Sequence, residues 1–429
     1  MVQIGLLGFG NVGEGVHEIL VKNAVRIQER CGQPVRIKTA LVRDLSKPRS
    51  SASQGISFTT NPDDILNDPD ISIVVEVLGG ENPAYSLISR ALKFKKHVVT
   101  ANKEVIAKHK ETLFSLARDH QVCLSFEAAV GGGIPIIRSL KVGLAPNEIE
   151  GIYGILNGTT NFILSRIEND KQEFNVALAK AQELGFAEAD PYMDVSGLDT
   201  AYKLVILAYV GFKVNITLDQ VAYEGITSIS RTDIESANQL GYTIKLLAIG
   251  RRDNAGNHVF KVHPTLILKS HPLASIQNEL NAVFVRANGL GECLFSGPGA
   301  GPLPTGSAIV SDVIDTIFDF GCHSRRHVEP PAKSVVPLQS ATTESQFFIR
   351  LTVADSVGVL ETVTRLLGKH NISIANLIQQ KNHKDTATIL IITHHIVESE
   401  MRAGISELEK ETCLKVDSVI RVGFSDSIE

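Results

Sequence analysis

The chain opens with a short apolar run, VQIGLL, which leads directly into the glycine-rich sequence GFGNVG and then into residues with helical spacing. Continuous apolar runs of this length are typical of parallel strands buried on both faces. Two later runs, ISIVVEVLGG and KHVVTANKEVIA, have the same β-branched character and end in small or polar residues. The pattern predicts alternating strands and helices, and therefore an α/β domain with a parallel sheet over residues 1–135.

The central part of the chain has a different pattern. GIYGILNGTTNFIL predicts a strand, an Asn-Gly turn and a helix capped by Thr159 or Thr160. A second helix is expected to end at Gly185, and a third, very apolar one begins near Leu198. SANQLGYTIKLLAIG and HVFKVHPTLIL indicate a helix and a strand of a mixed α+β domain over residues 136–323. In this domain GPGAGPLPTGSAIVSDVIDTI predicts a glycine loop and a helix near 305–320 that packs back on the first domain.

Residues 324–345 are rich in proline, serine and charge, which is typical of a linker. The segment that follows, 346–429, reads as strand, helix, strand, strand, helix and strand. That order, βαββαβ, is the ferredoxin-like split fold. We therefore predict a separate, small C-terminal domain.

Composition excludes several classes of protein. The 429 residues carry a formal net charge of −5, which gives no electrostatic reason to expect a nucleic acid or an anionic membrane as partner. No stretch approaches the roughly 20 apolar residues of a membrane span, and no signal peptide is expected. The five cysteines are scattered and form no CxxC pair, which favours a reducing cytoplasm over a disulfide framework or a zinc site.

The glycine-rich loop carries the first chemical prediction. Gly8, Gly10 and Gly13 form G-x-G-x-x-G between a predicted strand and a predicted helix, as in dinucleotide-binding folds. The first glycine allows the tight turn, the second lets the backbone approach a pyrophosphate, and the third lets helix and strand pack closely. The predicted NAD(P)-binding loop comprises Gly8, Phe9, Gly10, Asn11, Val12 and Gly13.

The end of the second predicted strand bears on the choice of cofactor. An acidic residue there accepts a hydrogen bond from the ribose of NAD, whereas a basic one pairs with the 2′-phosphate of NADP. The chain has Arg43 followed by Asp44, with Lys47 close by. The pattern favours NADP(H) and leaves NAD(H) open, and Arg43 could equally be a solvated loop residue.

One lysine stands out in the apolar helix after residue 197, in the sequence SGLDTAYKLVILAYVGF. Lys203 follows Asp199 by four residues, so the two lie on the same face of the helix. A lysine in such a helix extends its aliphatic chain so that the ammonium reaches the surface, pairs with an acid, or faces a polar cavity. Upstream, Glu127 and the triplet Gly131–Gly133 could hold a monovalent cation or simply form a bend.

These segments resemble a known family. GFGNVG, TANKEVIA, NGTTNFIL and ELGFAEADPYMDVSGLDTAYKLVILA are similar, in this order, to homoserine dehydrogenases over roughly the first 330 residues. The resemblance implies reversible, NAD(P)-dependent interconversion of L-homoserine and L-aspartate 4-semialdehyde, on the route to threonine and methionine.

The resemblance also implies roles for individual residues. Lys203 matches the proton donor of aldehyde reduction, and Lys103 matches a second active-site lysine that meets cofactor and substrate. An ammonium suits this step, because hydride transfer leaves an alkoxide that must be protonated, and the reverse oxidation should favour alkaline pH. The substrate-binding residues implied are Glu188, Asp199, Asn157 and Thr159; those at the cofactor are Arg43, Lys103, Gly185 and Gly301. A sodium or potassium site of one carboxylate and main-chain oxygens is implied at Glu127, Val130, Gly132 and Ile134.

The C-terminal segment VADSVGVLETV is similar to the opening of an ACT domain, an amino-acid-sensing module. The resemblance implies L-threonine as effector, with Asn371 as a candidate contact, and pairing of ACT units into a homodimer or homotetramer. The alternative is a unit kept for assembly without sensing.

The sequence disfavours two rival functions and one rival catalytic residue. A dehydrogenase with a thiol nucleophile is disfavoured because Cys123 and Cys293 lie in apolar or glycine-rich runs. A non-catalytic nucleotide-binding sensor is disfavoured because it would not need Lys203. His263 is interpreted as a structural residue at a strand end.

Overall fold

A computed structural model describes residues 1–48, 55–253, 255–319, 332–382 and 385–424. The chain divides into two compact units, each assembled from three segments. The first unit consists of Met1–Ile149, Tyr202–Leu218 and Asn281–Val335, and the second of Glu150–Ala201, Asp219–Leu280 and Val336–Glu429. No helix in the described ranges is long and apolar enough to cross a membrane.

Helices and strands alternate through the first part of the chain and are then interspersed with longer antiparallel strands. In chain order, helices α1 to α14 of the described residues are Asn11–Lys22, Ala24–Cys31, Asp63–Leu66, Ala84–Lys93, Lys103–Asp119, Ile136–Arg138, Gly158–Asp170, Phe174–Glu183, Tyr192–Val195, Leu198–Phe212, Arg231–Gln239, Pro302–Phe318, Val359–Lys369 and Glu398–Leu408. Strands β1 to β19 are Val2–Leu7, Val35–Leu41, Ser57–Thr59, Ile71–Glu76, His97–Thr100, Leu124–Ser125, Ile149–Ile155, Val214–Asn215, Ala222–Tyr223, Tyr242–Arg252, His258–Leu268, Leu280–Ala287, Gly291–Pro298, Lys333–Ser334, Glu344–Ala354, Ile374–Lys381, Thr386–Thr393, Ile396–Val397 and Leu414–Val422.

The first unit contains the predicted parallel sheet. Its strands are arranged in the order β3-β2-β1-β4-β5-β6, and every neighbouring pair is parallel. This is the strand order of a doubly wound dinucleotide-binding fold, in which ligands bind beyond the carboxyl ends of the strands. The predicted fold class is confirmed.

Helix α12 belongs to the same unit although it lies far along the chain. Ile309 and Val313 are fully buried and share one apolar core with Ile4 of β1 and Val16 of α1. The two helices meet so closely that a Cβ atom on Gly15 would collide with the carbonyl oxygen of Pro302. The helix predicted near 305–320 is therefore present as α12, packed on the parallel sheet of this unit.

The second unit contains a mixed sheet in the order β7-β10-β11-β19-β15-β17-β16. One prediction about it was wrong: the helix ends at Gln239, and the following residues form β10, which pairs along its whole length with β11. The apolar run TIKLLAIG is buried on both faces as a strand. Its length fits either a helix or a buried strand, and pairing with β11 decides between them.

The C-terminal elements fold in the predicted order βαββαβ. Strands β15, β16, β17 and β19 form the antiparallel order β19-β15-β17-β16, and α13 and α14 share their apolar core. The sheet does not end there, because β19 also pairs in parallel with β11 through Thr265 and Leu266. The ferredoxin-like sheet is thus continuous with the mixed sheet of its own unit.

Two further expectations bear on local structure. The predicted cap of α7 was wrong: the helix is capped by Asn157, whose side chain accepts a hydrogen bond of 2.8 Å from the amide of Thr160. Cys322 and residues 324–331 of the expected linker lie outside the described residues. The described part of that linker includes β14 and the beginning of β15.

Candidate active site

The glycine-rich loop between β1 and α1 has the geometry of a phosphate cradle. Gly8 has a φ of +105°, which favours glycine, and a Cβ atom on Gly13 would lie 2.5 Å from the carbonyl oxygen of Gly8. Gly10 is the N-cap of α1 and has no capping side chain, and no atom lies within 4 Å of the place where its Cβ would be. The helix therefore presents bare amides and its positive dipole end to a space that admits an anion.

The neighbouring loop residues support the cradle or remain open to solvent. Phe9 packs edge-on against Phe58 of β3, with ring centroids 5.1 Å apart. Asn11 is exposed in the first turn of α1, and Val12 is half-buried. Gly301, the N-cap of α12, has a φ of +116°, and the next residue, Pro302, touches α1. The first unit thus brings the two predicted cofactor loops onto the same helix.

The chain after β2 exposes Arg43 and engages Asp44 locally. One carboxylate oxygen of Asp44 accepts hydrogen bonds from both the amide and the hydroxyl of Ser46, at 2.8 and 2.7 Å. The Asp44 carboxylate, which would accept a hydrogen bond from the ribose of NAD, is therefore already bonded to Ser46. The Arg43 side chain is solvent-accessible.

Lys103 begins helix α5, and its position is fixed by a network that the sequence analysis did not identify. Glu76, at the end of β4, accepts hydrogen bonds from Thr100 Oγ1 at 2.5 Å and from the amide of Leu78 at 2.8 Å. Thr100 in turn accepts from the amide of Asn102, the N-cap of α5, at 3.0 Å. The Asn102 side chain then donates to the carbonyl of Gly80 at 2.7 Å.

Glu76 is completely buried, and burial raises the pKa of its carboxyl although the hydrogen bond from Thr100 opposes the shift. A buried carboxylate of this kind is held only where its oxygens are satisfied. The sequence contained a signal for it, since Glu76 is the one acid within the apolar run ISIVVEVL. Its contacts make it a positioning residue for the start of α5.

Helix α10 carries both Asp199 and Lys203, and the boundary between the two units falls inside it. Asp199 lies in the first turn and Lys203 one turn later, and both side chains are buried. Lys203 is only 8% exposed, so its side chain does not extend into solvent, which removes the interpretation as a surface lysine.

Asn157 connects the start of α7 to the start of α10 within the second unit. Its Nδ2 atom donates hydrogen bonds to Asp194 at 2.7 Å and to Asp199 at 2.9 Å. Its Oδ1 atom is the cap acceptor for Thr160. One amide side chain therefore holds two carboxylates in place, and Asp194 joins the residues predicted for this site.

Other predicted residues lie on the segment after α8. Gly185 ends that helix in the left-handed conformation, with a φ of +76°, as predicted for a C′ glycine. Thr159 donates its hydroxyl to the carbonyl oxygen of Phe186 at 2.6 Å, so it anchors this segment to α7. Glu188 is exposed, and its carbonyl accepts a hydrogen bond from Gln182 at 3.1 Å.

The four residues predicted for a cation lie in one turn of the first unit. Both carboxylate oxygens of Glu127 accept backbone amides, from Ile137 at 2.8 Å and Arg138 at 2.7 Å. The turn packs on the GPGAG loop, since the amide of Gly133 donates to Pro298 O at 3.1 Å and Gly132 has no room for a side chain beside Gly299. The Glu127 carboxylate thus holds the turn together.

The structure bears on the rival residues as well. His263 is buried in β11, and its Nδ1 lies 3.0 Å from both the carbonyl oxygen of Pro264 and Thr265 Oγ1. Burial, followed by the charges of Arg421 and Lys261, holds the pKa of this imidazole well below its usual value, which agrees with a structural role. Burial raises the pKa of the Cys123 thiol to about 12, so this residue is not an activated nucleophile.

The fold and the site define the class of NAD(P)-dependent dehydrogenases that carry a regulatory domain. The chain combines a doubly wound sheet and an open glycine loop with a buried lysine on α10 and a ferredoxin-like C-terminal module. Three family models match the chain. They are the NAD-binding domain of homoserine dehydrogenase over residues 8–127, homoserine dehydrogenase over residues 135–314, and the ACT domain over residues 347–412.

Similar proteins agree with these matches. The homoserine dehydrogenase of Synechocystis sp. is 43% identical over 98% of this chain and 99% of its own length. The crystal structure of a homoserine dehydrogenase from Thiobacillus denitrificans is 39% identical and has a TM-score of 0.92, covering 98% of both chains. A hyperthermophilic archaeal homoserine dehydrogenase in complex with NADPH is 26% identical, with a TM-score of 0.63 over 74% of this chain and 98% of its own. The chain belongs to the homoserine dehydrogenase family and carries a C-terminal ACT domain.

Proposed function

We propose that the protein catalyses the reversible, NAD(P)H-dependent reduction of L-aspartate 4-semialdehyde to L-homoserine. The observation that carries this proposal is the buried pair Asp199 and Lys203 in the first turns of α10, with Asp199 fixed by Asn157. A charged lysine buried in so apolar a helix costs stability, and the proposed catalytic role accounts for its presence there. The names of the relatives support the same reaction.

The bound nicotinamide supplies or accepts the hydride. Lys203 gives its ammonium proton to the aldehyde oxygen as negative charge develops there, and takes it back during oxidation. Glu188 and Asp199 bind the amino and hydroxyl ends of the substrate, with Asn157 and Thr159 holding the surrounding segments. Lys103 meets both substrate and cofactor, and Glu76 and Asn102 keep it in place.

The cofactor that we propose is NADP(H), with NAD(H) as a weaker alternative. The bare N-terminus of α1 and the open space at Gly10 fit a pyrophosphate. The exposed Arg43 suits a 2′-phosphate, and Asp44 is already bonded to Ser46. The NADPH complex of the archaeal homologue supports the same choice. Gly185 and Gly301 would contribute backbone contacts.

We also propose a sodium or potassium ion at the turn of Glu127, Val130, Gly132 and Ile134. The Glu127 carboxylate and main-chain oxygens of these residues would hold it, which is the set of oxygen ligands that the family resemblance implies. The ion would stiffen the turn that packs on the GPGAG loop.

The ACT domain, in our proposal, binds L-threonine and mediates assembly into a homodimer or homotetramer. Asn371 remains a candidate contact, although it also has a local role: it follows α13 with a φ of +56°. We propose residues 1–135, 136–323 and 346–429 as the functional domains, with 324–345 as linker. The described cysteines are free, which suits a cytoplasmic enzyme.

The first experiment measures the loss of reduced-nicotinamide absorbance with L-aspartate 4-semialdehyde. NADPH and NADH are run in parallel, each with and without threonine. Turnover with NADPH that threonine suppresses is the expected result. Turnover that is indifferent to threonine would contradict the sensing role alone, and no turnover with either cofactor would overturn the proposed reaction.

A further inference from the structure

A buried carboxylate connects the ACT domain to the strand beside it in the second unit. Glu398, the first residue of α14, is 1% exposed. It accepts hydrogen bonds from Lys261 of β11 at 2.7 Å, from Arg421 of β19 at 2.8 and 3.1 Å, and from Ser340 at 2.8 Å. Lys261 also donates to Thr343, whose carbonyl oxygen accepts from the amide of Glu398. The cluster ties the start of α14 to two strands.

Glu398 and Arg421 are both charged at neutral pH. Burial alone would raise the pKa of Glu398, but the hydrogen bonds and charge of Arg421, with that of Lys261, lower it to about 2. Arg421 is always protonated in proteins. Because Glu398 is the first residue of α14 and binds the Arg421 guanidinium, the position of that guanidinium depends on this helix of the ACT domain.

Arg421 has a second carboxylate partner. Its Nη1 atom donates to Oε2 of Glu224 at 2.9 Å. Glu224 follows β9, and its amide donates to the carbonyl of Val262 on β11 at 2.8 Å. The Glu224 side chain is half-exposed, so this contact can be altered from solvent without opening the core.

The segment that begins at Glu224 packs backbone to backbone on the loop before α10. The amide of Ile226 donates to Val195 O at 2.9 Å, and Gly225 has no room for a side chain against Val195 and Ser196. A Cβ atom on Gly197 would in turn lie 3.1 Å from the carbonyl of Glu224. Contacts this close transmit a displacement of one segment directly to the other.

The loop that receives this contact joins Asp194 to Asp199, the two carboxylates held by Asn157. We propose that Glu224 is a positioning residue for substrate binding, and that through Arg421 it makes the placement of Asp194 and Asp199 depend on the ACT helix α14. The inference rests on the proposed function, in which Asp199 binds the substrate.

A cavity leaves space for movement beside the contact between Glu224 and Arg421. This cavity of about 420 Å³ is lined by residues that include Glu224, Glu398, Arg421, Arg402 and Glu409. The Glu224–Arg421 pair can therefore lengthen or re-form without displacing packed side chains. A tightly filled junction would not allow this, because packed cores resist small displacements.

The test is a kinetic comparison of full-length variants. In Glu224→Gln we expect the KM for L-homoserine to rise about threefold to tenfold, with the KM for NADP unchanged, since only the substrate loop is disturbed. Glu224→Asp keeps the charge and should restore part of the loss. Arg421→Lys also loosens the two hydrogen bonds to Glu398, so it should raise this KM at least as much. The double variant should be no worse than Arg421→Lys, because the Glu224 carboxylate acts through Arg421.

The matched control is Glu409→Gln, which makes the same substitution in a wall of the same cavity and should leave both KM values unchanged. A Glu224→Gln enzyme with wild-type KM, or additive effects in the double variant, would overturn the inference. A further variant, Asp199→Asn, distinguishes a failure of this inference from a failure of the proposed function. If it impairs substrate binding while Glu224→Gln does not, only this inference fails; if Asp199→Asn is harmless, the proposed function fails.

Discussion

The Nδ2 atom of Asn157 lies 2.9 Å from Oδ2 of Asp199 and donates a hydrogen bond to it. The same amide nitrogen donates to Asp194, and the amide oxygen caps α7. Two carboxylates that would repel each other are therefore held side by side by one neutral donor, which also starts a helix. The roles of donor and cap can be separated by substitution.

Asn157→Asp keeps the cap acceptor and removes the donor. A third carboxylate would then face Asp194 and Asp199, and we expect the KM for L-homoserine to rise about tenfold while the helix cap remains. Steady-state kinetics with saturating NADP would measure the first effect, and thermal unfolding the second. Asn169→Asp, on the exposed end of α7, is the control. An unchanged KM would contradict the role given to Asn157.

Lys203→Met removes the proposed proton donor and keeps the apolar stem. We expect kcat to fall at least about 100-fold in both directions, because general acid catalysis and charge stabilisation are lost together. The KM for NADP should not change, since the lysine acts on the substrate oxygen. Lys180→Met, an exposed lysine paired with Glu183, is the matched control. Retention of full turnover by Lys203→Met would remove α10 from the mechanism.

Substitutions of two glycines, Gly10 at the N-cap of α1 and Gly15 inside α1, distinguish cofactor binding from stability of the fold. Gly10→Ala adds a methyl group in open space and should leave stability unchanged, but it blocks the approach of a pyrophosphate and should raise the KM for NADP about tenfold or more. Gly15→Ala drives a methyl group into Pro302 and should destabilise the packing of α1 on α12 by roughly 1 to 3 kcal/mol. Equal effects of the two substitutions on thermal unfolding would contradict this division.

The local sequence predicted the parts of the site that depend on backbone pattern. The strand, glycine turn and helix at residues 2–22 follow from periodicity and φ requirements, and so does the left-handed Gly185. The hydrogen-bond network of Glu76 and the hydrogen bonds from Asn157 to Asp194 and Asp199 do not follow from the local sequence. Each of them joins segments that are far apart along the chain. Strand β10 was misassigned for a related reason: its pairing with β11 and β7 distinguishes it from a buried helix.

Arg43→Ala tests the proposed preference for NADP. The exposed guanidinium would lose its charge-assisted contact with the 2′-phosphate, so we expect the KM for NADP to rise about tenfold and that for NAD to stay within about twofold. Both constants are measured with the same homoserine concentration. The control is Arg36→Ala, an exposed arginine on β2. An equal loss with both cofactors would show that Arg43 acts on something other than the phosphate.

Lys245 gives the second unit a measurable dependence of stability on pH. It is fully buried in β10 and donates to Asn161 Oδ1 at 3.1 Å and to the carbonyl of Ile276 at 2.6 Å. Burial lowers its pKa from 10.5 to about 8. Between these values the unfolded chain binds the proton and the folded chain does not. The destabilisation is therefore complete below pH 8 and is relieved as the pH rises towards 10.5.

In Lys245→Met this contribution is absent at every pH. The free energy of unfolding of the wild type, relative to that of the variant, should therefore increase by about 1 kcal/mol per pH unit between pH 8 and 9.5. Urea unfolding at three pH values in that range measures the slope, and the other titrating groups cancel because both proteins share them. Lys171→Met, in the exposed turn after α7, should follow the wild type. Parallel curves for the wild type and Lys245→Met would show that Lys245 keeps an ordinary pKa in the folded protein.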